Sequence, residues 1–115
     1  MEITGTLRVT DRGEVGALRG IVRLEDVTLA DARSRVIATG PIVLQQGEDE
    51  GRFSISIPDD IERRAQYILS ARLEGEHLQT GRACVFGTVV AYPWQPHDPP
   101  QDHLIVARRW TRQSN

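Results

Sequence analysis

Hydrophobic and polar residues alternate with a period of two along much of the chain. The clearest stretch is 52–57, and the same alternation recurs at 3–10, 18–25 and 67–73. Because successive side chains of a β-strand point to opposite faces of the sheet, this pattern predicts half-buried strands. The hydrophobic positions of these segments are expected to face the core, and they are Leu7, Val22, Leu24, Phe53, Ile55, Ile57, Tyr67, Leu69 and Leu73.

Turn-forming residues separate these segments at intervals of about eight to twelve residues, which is typical of a sandwich rather than of alternating strands and helices. We therefore predict an all-β fold, a small antiparallel β-sandwich of seven to eight strands, over residues 1–110, with a flexible tail at 111–115. Gly40-Pro41 marks an edge strand, a bulge or a strand that changes sheets, because proline donates no ladder hydrogen bond. One short helical turn is expected at 61–64, with Asp59 as its N-cap.

The composition indicates one ordinary domain and excludes several classes of function. The chain has 115 residues and a net charge of −2, with basic and acidic residues mixed along it, which disfavours a nucleic-acid binder. All 14 basic residues are arginine, so Schiff-base chemistry and a P-loop lysine are excluded. The single cysteine, Cys84, cannot form an intramolecular disulfide. No segment approaches the roughly 20 apolar residues of a membrane span.

The first residues, Met1–Thr4, enter a strand-like pattern directly, without the basic and apolar regions of a signal peptide. The sequence as written therefore predicts a cytoplasmic protein, or a periplasmic or envelope protein from which a leader has been removed. Nothing in the sequence matches a cofactor-binding motif, so we expect no cofactor.

One segment near the middle of the first half carries a family signature. Val22–Ala32 reads VRLEDVTLADA, and it resembles the hallmark of a bacterial lipoprotein family, the type III secretion lipoprotein chaperones of the YscW and YbaY type. The similarity continues in order through a strand ending in Pro58–Ile61, through Tyr67–Leu73 and through Gln79–Gly81. It covers the chain from Thr4 to Arg109.

The resemblance implies a compact β-sandwich with no catalytic motif and a role in assisting an outer-membrane secretin. Members of that family carry a lipid-modified N-terminal cysteine after a signal peptide, whereas this sequence begins without either. The fold therefore transfers from the family more readily than the function does.

Two groups of residues have chemistry suited to catalysis, and each also has a structural explanation. Asp26 and Asp31 flank an apolar turn, where two carboxylates suit general acid and base work. They equally suit an Asx-type turn that accepts backbone N–H groups, and we favour that structural role. Cys84 is a possible nucleophile, but no neighbouring motif activates it, and a lone cysteine in a strand is usually a small buried hydrophobe.

The loop 97–103 combines the ligand types that divalent metals use. His97 and His103 stand at its ends, with Asp98 and Asp102 beside them. The spacing matches no standard metal motif, and the adjacent prolines Pro99-Pro100 stiffen the segment. A solvated loop is therefore favoured, and no metal site is predicted.

The scarce aromatic residues concentrate toward the end of the sequence. Tyr92, Trp94 and Trp110 belong to a total of two Trp, two Tyr and two Phe. Such residues at one end of a sandwich line a ligand groove or anchor a partner, or they simply plug the core. The first alternative predicts a binding site formed by Tyr92, Trp94, His97, His103 and Trp110.

Two classes of function remain open. The leading hypothesis is a non-catalytic binding module, chaperone-like or pilotin-like, that recognises a protein partner or an apolar small molecule. The alternative is a small cytoplasmic enzyme of the isomerase or cyclase type, independent of any cofactor, in a biosynthetic pathway. We lean away from an enzyme. The sequence indicates neither the ligand nor the oligomeric state.

Overall fold

The computed structural model describes residues 1–29 and 33–110. The described residues contain no helix, and so none that is long and apolar enough to cross a membrane. They form eight strands, which are β1 (Glu2–Thr10), β2 (Leu18–Asp26), β3 (Arg35–Leu44), β4 (Glu50–Ser56), β5 (Tyr67–Glu76), β6 (Ala83–Thr88), β7 (Tyr92–Trp94) and β8 (His103–Arg109).

The strands belong to one hydrogen-bonded sheet that curls almost into a barrel. Their order is β3-β2-β5-β6-β8-β1-β4, and the short β7 pairs with β5 beyond the point where β6 ends. The two strands at the ends of this order come together, since a Cβ added to Gly40 of β3 would collide with the carbonyl oxygen of Ser54 in β4. Glycine is required at position 40 because the backbones approach so closely.

The all-β class and the strand number predicted from the sequence are confirmed, but the arrangement differs in two ways. The strands form a single curled sheet rather than two separate sheets. In addition, β1 and β8 pair in parallel, with Gly5 opposite His103 and Thr10 opposite Arg108, while all other pairs are antiparallel. A parallel pair needs a long crossover, and here most of the chain separates its two strands.

The core positions predicted from alternation are confirmed. Each of them is at most 5% exposed, namely Leu7, Val22, Leu24, Phe53, Ile55, Ile57, Tyr67, Leu69 and Leu73. They pack inside the curl of the sheet with residues from the C-terminal strands, including Phe86 and Ile105. The period-two pattern therefore identifies the inner face of four strands correctly.

Three further predictions meet the structure at particular places. Gly40-Pro41 lies in an edge strand, since β3 pairs with β2 alone among the described strands, and Pro41 is exposed there. The prediction of a helical turn at 61–64 is wrong, because 61–62 have no regular structure and 63–64 lie in a non-helical turn. The proposed tail, 111–115, lies outside the described residues.

One end of the curled sheet is closed by a buried arginine. Arg12 is 7% exposed and donates to four backbone carbonyls, namely Gly16 (2.7 Å), Glu48 (2.7 Å), Gln45 (3.0 Å) and Val15 (3.4 Å). Its own carbonyl accepts a hydrogen bond from Arg109 at 2.8 Å. The buried guanidinium thus has acceptors for its donors and links two turns, 15–16 and 45–48, through their carbonyls.

Candidate binding site

Trp94, a residue of the predicted site, is part of the core. It pairs with Tyr67 across β7 and β5, and the two rings meet edge to face with centroids 5.8 Å apart. Only 5% of Trp94 is exposed. This placement fits the alternative in which the tryptophan plugs the core where the proline-rich segment crosses it.

Tyr92 closes a gap between β7 and β8. The backbone of β8 pairs with β6 only through Ala107–Arg109, so no strand of the described residues pairs with the first half of β8 on that side. The hydroxyl of Tyr92 accepts a hydrogen bond from the backbone N–H of Val106 at 3.0 Å. A side chain therefore satisfies a donor that a neighbouring strand would otherwise satisfy.

The two histidines of the predicted site have different surroundings. His103 lines a cleft of about 160 Å³ together with Trp94, Pro96 and the first residues of β1. His97 is exposed and is not part of the lining of this cleft. The described residues contain no group of three His, Cys, Asp or Glu side chains that could hold a metal ion.

The carboxylates of the 97–103 loop already have partners within the protein. Asp98 accepts a hydrogen bond from the backbone N–H of Gln95 at 3.0 Å. Asp102 forms a bidentate ion pair with Arg52, and the hydrogen bonds from this guanidinium lower the pKa of Asp102. Both side chains therefore fix the course of the loop.

Trp110 is exposed and held in one position. Its ring lies against Gly87, where a Cβ would collide with it, and the guanidinium of Arg72 lies 5.7 Å from the ring centroid. Its backbone N–H donates to the carbonyl of Val85 at 2.9 Å. Even so, 43% of the residue is exposed. Trp110 is thus a rigid aromatic surface available to solvent.

The structure separates the predicted site into two places. Trp94 lies near His103, at the start of β8, whereas Trp110 follows Arg109, at the end of β8. Seven residues of extended strand correspond to roughly 23 Å. The buried and the exposed tryptophan therefore cannot contact the same small group.

Trp110 continues into a row of outward-facing residues on neighbouring strands. Ile21 of β2 lies opposite Pro41 of β3 on one side and opposite Arg72 of β5 on the other, and Arg72 lies opposite Gly87. We call this set, Pro41, Ile21, Arg72 and Trp110, the outer row. Ile21 is 40% exposed, and Pro41 is exposed as well. Val43, 48% exposed, extends the apolar surface along β3.

Arginines lie on both sides of the outer row along β2. Arg19 and Arg23 flank Ile21, each two residues away and on the same face. Arg19 is opposite Val43 and Arg23 is opposite Thr39 in the neighbouring strand. Sequence analysis missed this surface, although an isoleucine on the polar side of an alternating strand is a usable signal of it.

Asp26 has a structural role. Its carboxylate accepts hydrogen bonds from the backbone N–H of Thr28 at 2.9 Å and from the hydroxyl of the same residue. These two hydrogen bonds lower the pKa of Asp26. The Asx-type turn favoured from the sequence is therefore present, while Asp31 lies outside the described residues.

Glu25 is a buried carboxylate at an irregularity in the pairing of β2 with β3. Burial raises its pKa, but hydrogen bonds from Ser34 and Ser70 and the charge of Arg23 outweigh that effect, so the pKa is lowered. The group is thus held ionised by two hydroxyls within the sheet surface.

Cys84 is partly buried against the core, and its Sγ lies 3.7 Å from the carbonyl oxygen of Arg82. His97 lies on no strand, and His103 begins β8, which pairs with β6 only through Ala107–Arg109 and not beside Cys84. This environment matches the small hydrophobe expected from the sequence.

Comparisons with known proteins identify a family and, separately, a shared fold. The model of the family described as type III secretion system lipoprotein chaperone (YscW) matches residues 2–86. Among solved structures, the chain is similar to an alternative pilotin from the type II secretion system of Vibrio cholerae, with a TM-score of 0.68 and 24% identity. That match covers 97% of this chain and 98% of the other, and it shows a shared fold. No curated protein matches the sequence.

Proposed function

Because the chain belongs to the family of type III secretion system lipoprotein chaperones, we propose that it is a non-catalytic module that binds a protein partner. The family match confirms the resemblance carried by the sequence around Val22, and it covers most of the strands of the sheet. The pilotin with the same fold belongs to a secretion system as well. A chaperone-like or pilotin-like role therefore follows from the family.

The partner binds on the outer row in this proposal, and the observation that carries the assignment is the exposed, rigid ring of Trp110. Tryptophan and arginine are the residue types most enriched among side chains that dominate binding energy. The guanidinium of Arg72 lies 5.7 Å from the centroid of the Trp110 ring, and Arg72 in turn lies opposite Ile21 in the sheet. A side chain already fixed in place loses little conformational entropy when a partner covers it.

A protein surface fits this face better than an apolar small molecule fits the cleft beside Trp94. That cleft has a volume of about 160 Å³, whereas sites for small molecules usually measure about 300–1,000 Å³. The outer row, by contrast, is an open surface formed by neighbouring strands. Open surfaces suit contact with another protein, because a small ligand would stay mostly exposed to water there.

Photochemical cross-linking in the cells that produce the protein tests this proposal. A photoreactive phenylalanine derivative replaces Ile21 in the outer row or, as a matched control, Arg63 in an exposed turn. We expect a discrete protein adduct from position 21 and none from position 63. The Trp110→Ala variant should lose most of the adduct while its far-ultraviolet circular dichroism stays unchanged.

Equal adducts from the two positions would overturn the assignment of the surface. Native mass spectrometry of the purified chain provides a second readout. If the protein carries a small ligand and forms no adduct with any protein, then the module binds a small molecule and the proposed function is wrong.

A further inference from the structure

The charge around the outer row is unevenly balanced. Arg19, Arg23 and Arg72 surround Ile21, and among the described residues the acidic group paired with any of them is Glu74, 3.0 Å from Arg72. The ion pairs of the described residues include neither Arg19 nor Arg23. Glu74 lies opposite Arg19 in the pairing of β5 with β2, and Glu25 is close to Arg23, but neither carboxylate forms an ion pair with these arginines within the described residues.

Arg23 is the more informative of these two arginines. Its Nε is buried and has no hydrogen-bond partner within the described part of the chain. The nearby carboxylate of Glu25 does not serve as that partner, and its recorded side-chain hydrogen bonds come from Ser34 and Ser70. Burying a guanidinium donor without an acceptor costs free energy, and the structure keeps this arrangement at the surface where a partner is proposed to bind.

We propose that the partner presents an acidic and apolar protein segment to this face, an inference that rests on the proposed function. Apolar side chains of the segment lie against Ile21, Pro41 and Trp110. Carboxylates on either side of them bind Arg19 and Arg23, which are four residues apart along one strand and so about 13 Å from each other. Guanidinium–carboxylate pairs in two parallel hydrogen bonds give this contact its specificity.

Other anionic partners fit this face less well. A nucleic acid or an anionic membrane is attracted by an excess of positive charge, and the whole chain has a net charge of −2. The outer row also places exposed apolar residues between the arginines, where a phosphate backbone would leave them uncovered. An acidic protein segment satisfies both the charged and the apolar positions.

Two synthetic peptides with the same leucine content, one with glutamate and one with lysine at the remaining positions, test the proposal directly. Each is titrated into the full chain labelled with nitrogen-15. We expect the glutamate peptide to shift the amide signals of Ile21 and Arg23 and the indole N–H signal of Trp110. The lysine peptide should bind at least about tenfold more weakly. Added salt should weaken the binding of the glutamate peptide, because it screens the charges.

Charge reversal supplies the matched controls. The double variant Arg19→Glu with Arg23→Glu should reverse the preference between the peptides. The double variant Arg63→Glu with Arg82→Glu makes the same change in net charge at exposed positions away from the outer row and should leave the preference intact. Equal binding of both peptides, or shifts confined to another face, would overturn the proposal.

Anionic vesicles of phosphatidylglycerol and phosphatidylcholine form a further arm of the experiment. Co-sedimentation with these vesicles that the Arg19→Glu and Arg23→Glu changes abolish would show a membrane-binding face and contradict an acidic protein partner. The cross-linking experiment separates the two proposals. If the adduct at position 21 still forms after both arginines are changed to glutamate, the proposal of an acidic partner is wrong but the proposed function stands. If no adduct forms at position 21 even with both arginines in place, both proposals are wrong.

Discussion

The ring of Trp110 rests on the Cα of Gly87, at a distance that leaves no room for a side chain at position 87. The backbone of Gly87 does not adopt a positive φ angle, so its need for glycine comes from the ring above it and not from its own conformation. The position of the Trp110 ring, at one end of the outer row, therefore depends on the glycine at position 87 in β6.

Gly87→Ala tests this dependence. In the unmodified chain we expect the change to displace the Trp110 ring and to lower the free energy of unfolding by about 1–2 kcal/mol, as overpacking usually does. In a Trp110→Ala background the same change should be neutral or slightly stabilising, because alanine restricts the unfolded chain more than glycine does. Urea unfolding of the four proteins measures the coupling, and additive effects would contradict the contact.

The two tryptophans should respond oppositely to truncation. Trp94→Ala removes a ring that is 5% exposed and should cost about 3–5 kcal/mol of stability, as other buried aromatic residues do. Trp110→Ala removes a ring that is 43% exposed and should cost clearly less. Thermal unfolding measures both. If the Trp94→Ala variant has the same melting temperature as the unmodified protein, the ring is not packed in the core.

Arg12→Lys should destabilise the protein although it keeps the positive charge. The ammonium group cannot reach carbonyls in two separate turns at once, and each hydrogen bond to a charged donor contributes about 1.5–3 kcal/mol. We expect a loss of roughly 3 kcal/mol. Arg8→Lys is the control, because Arg8 forms an exposed ion pair with Glu50, of a kind that contributes about 0–1 kcal/mol. Equal losses would remove the special role of Arg12.

The lowered pKa of Glu25 predicts how stability depends on pH. A carboxyl whose pKa is lower in the folded protein stabilises it above the ordinary carboxyl range, and this contribution is lost as the pH falls through the lowered value. Glu25→Gln should therefore be most destabilising near neutral pH, and the difference should narrow on acidification. Ser70→Ala, which removes one hydrogen bond to Glu25, should weaken the same pH dependence. The free energy of unfolding is measured against pH for the unmodified protein and the two variants. If it changes with pH by the same amount in all three, Glu25 does not have this role.

The core of the fold could be predicted from the sequence because it depends on local alternation. Phe53, Ile55 and Ile57 face inward whichever strand lies beside them, since the side of a strand that is hydrophobic is the side that is buried. Arg12 shows the limit of this reasoning. An arginine in a turn is usually exposed, and only the carbonyls that the folded turns bring around it make its burial favourable.

The outer row could not be predicted in the same way, because it depends on pairing between distant strands. Ile21, Arg72 and Gly87 come from three strands, and their alignment follows from register, which alternation does not specify. The burial of Trp94 could not be predicted from alternation either. β7, which contains Trp94, is only three residues long, too short for a period of two to distinguish the inner from the outer face. The functional roles of Tyr92, His97 and His103 stay predictions.

The parallel pairing of β1 with β8 has a consequence for the order in which the protein is made. Among the described strands, β8 alone pairs both with β6 and with β1, and so it connects β3-β2-β5-β6 to β1-β4. A ribosome releases β8 about a hundred residues after β1, and contacts so far apart in sequence form slowly. Until that strand emerges, the inner faces on either side of the gap remain exposed to water, and exposed apolar surface of this kind favours aggregation before folding is complete.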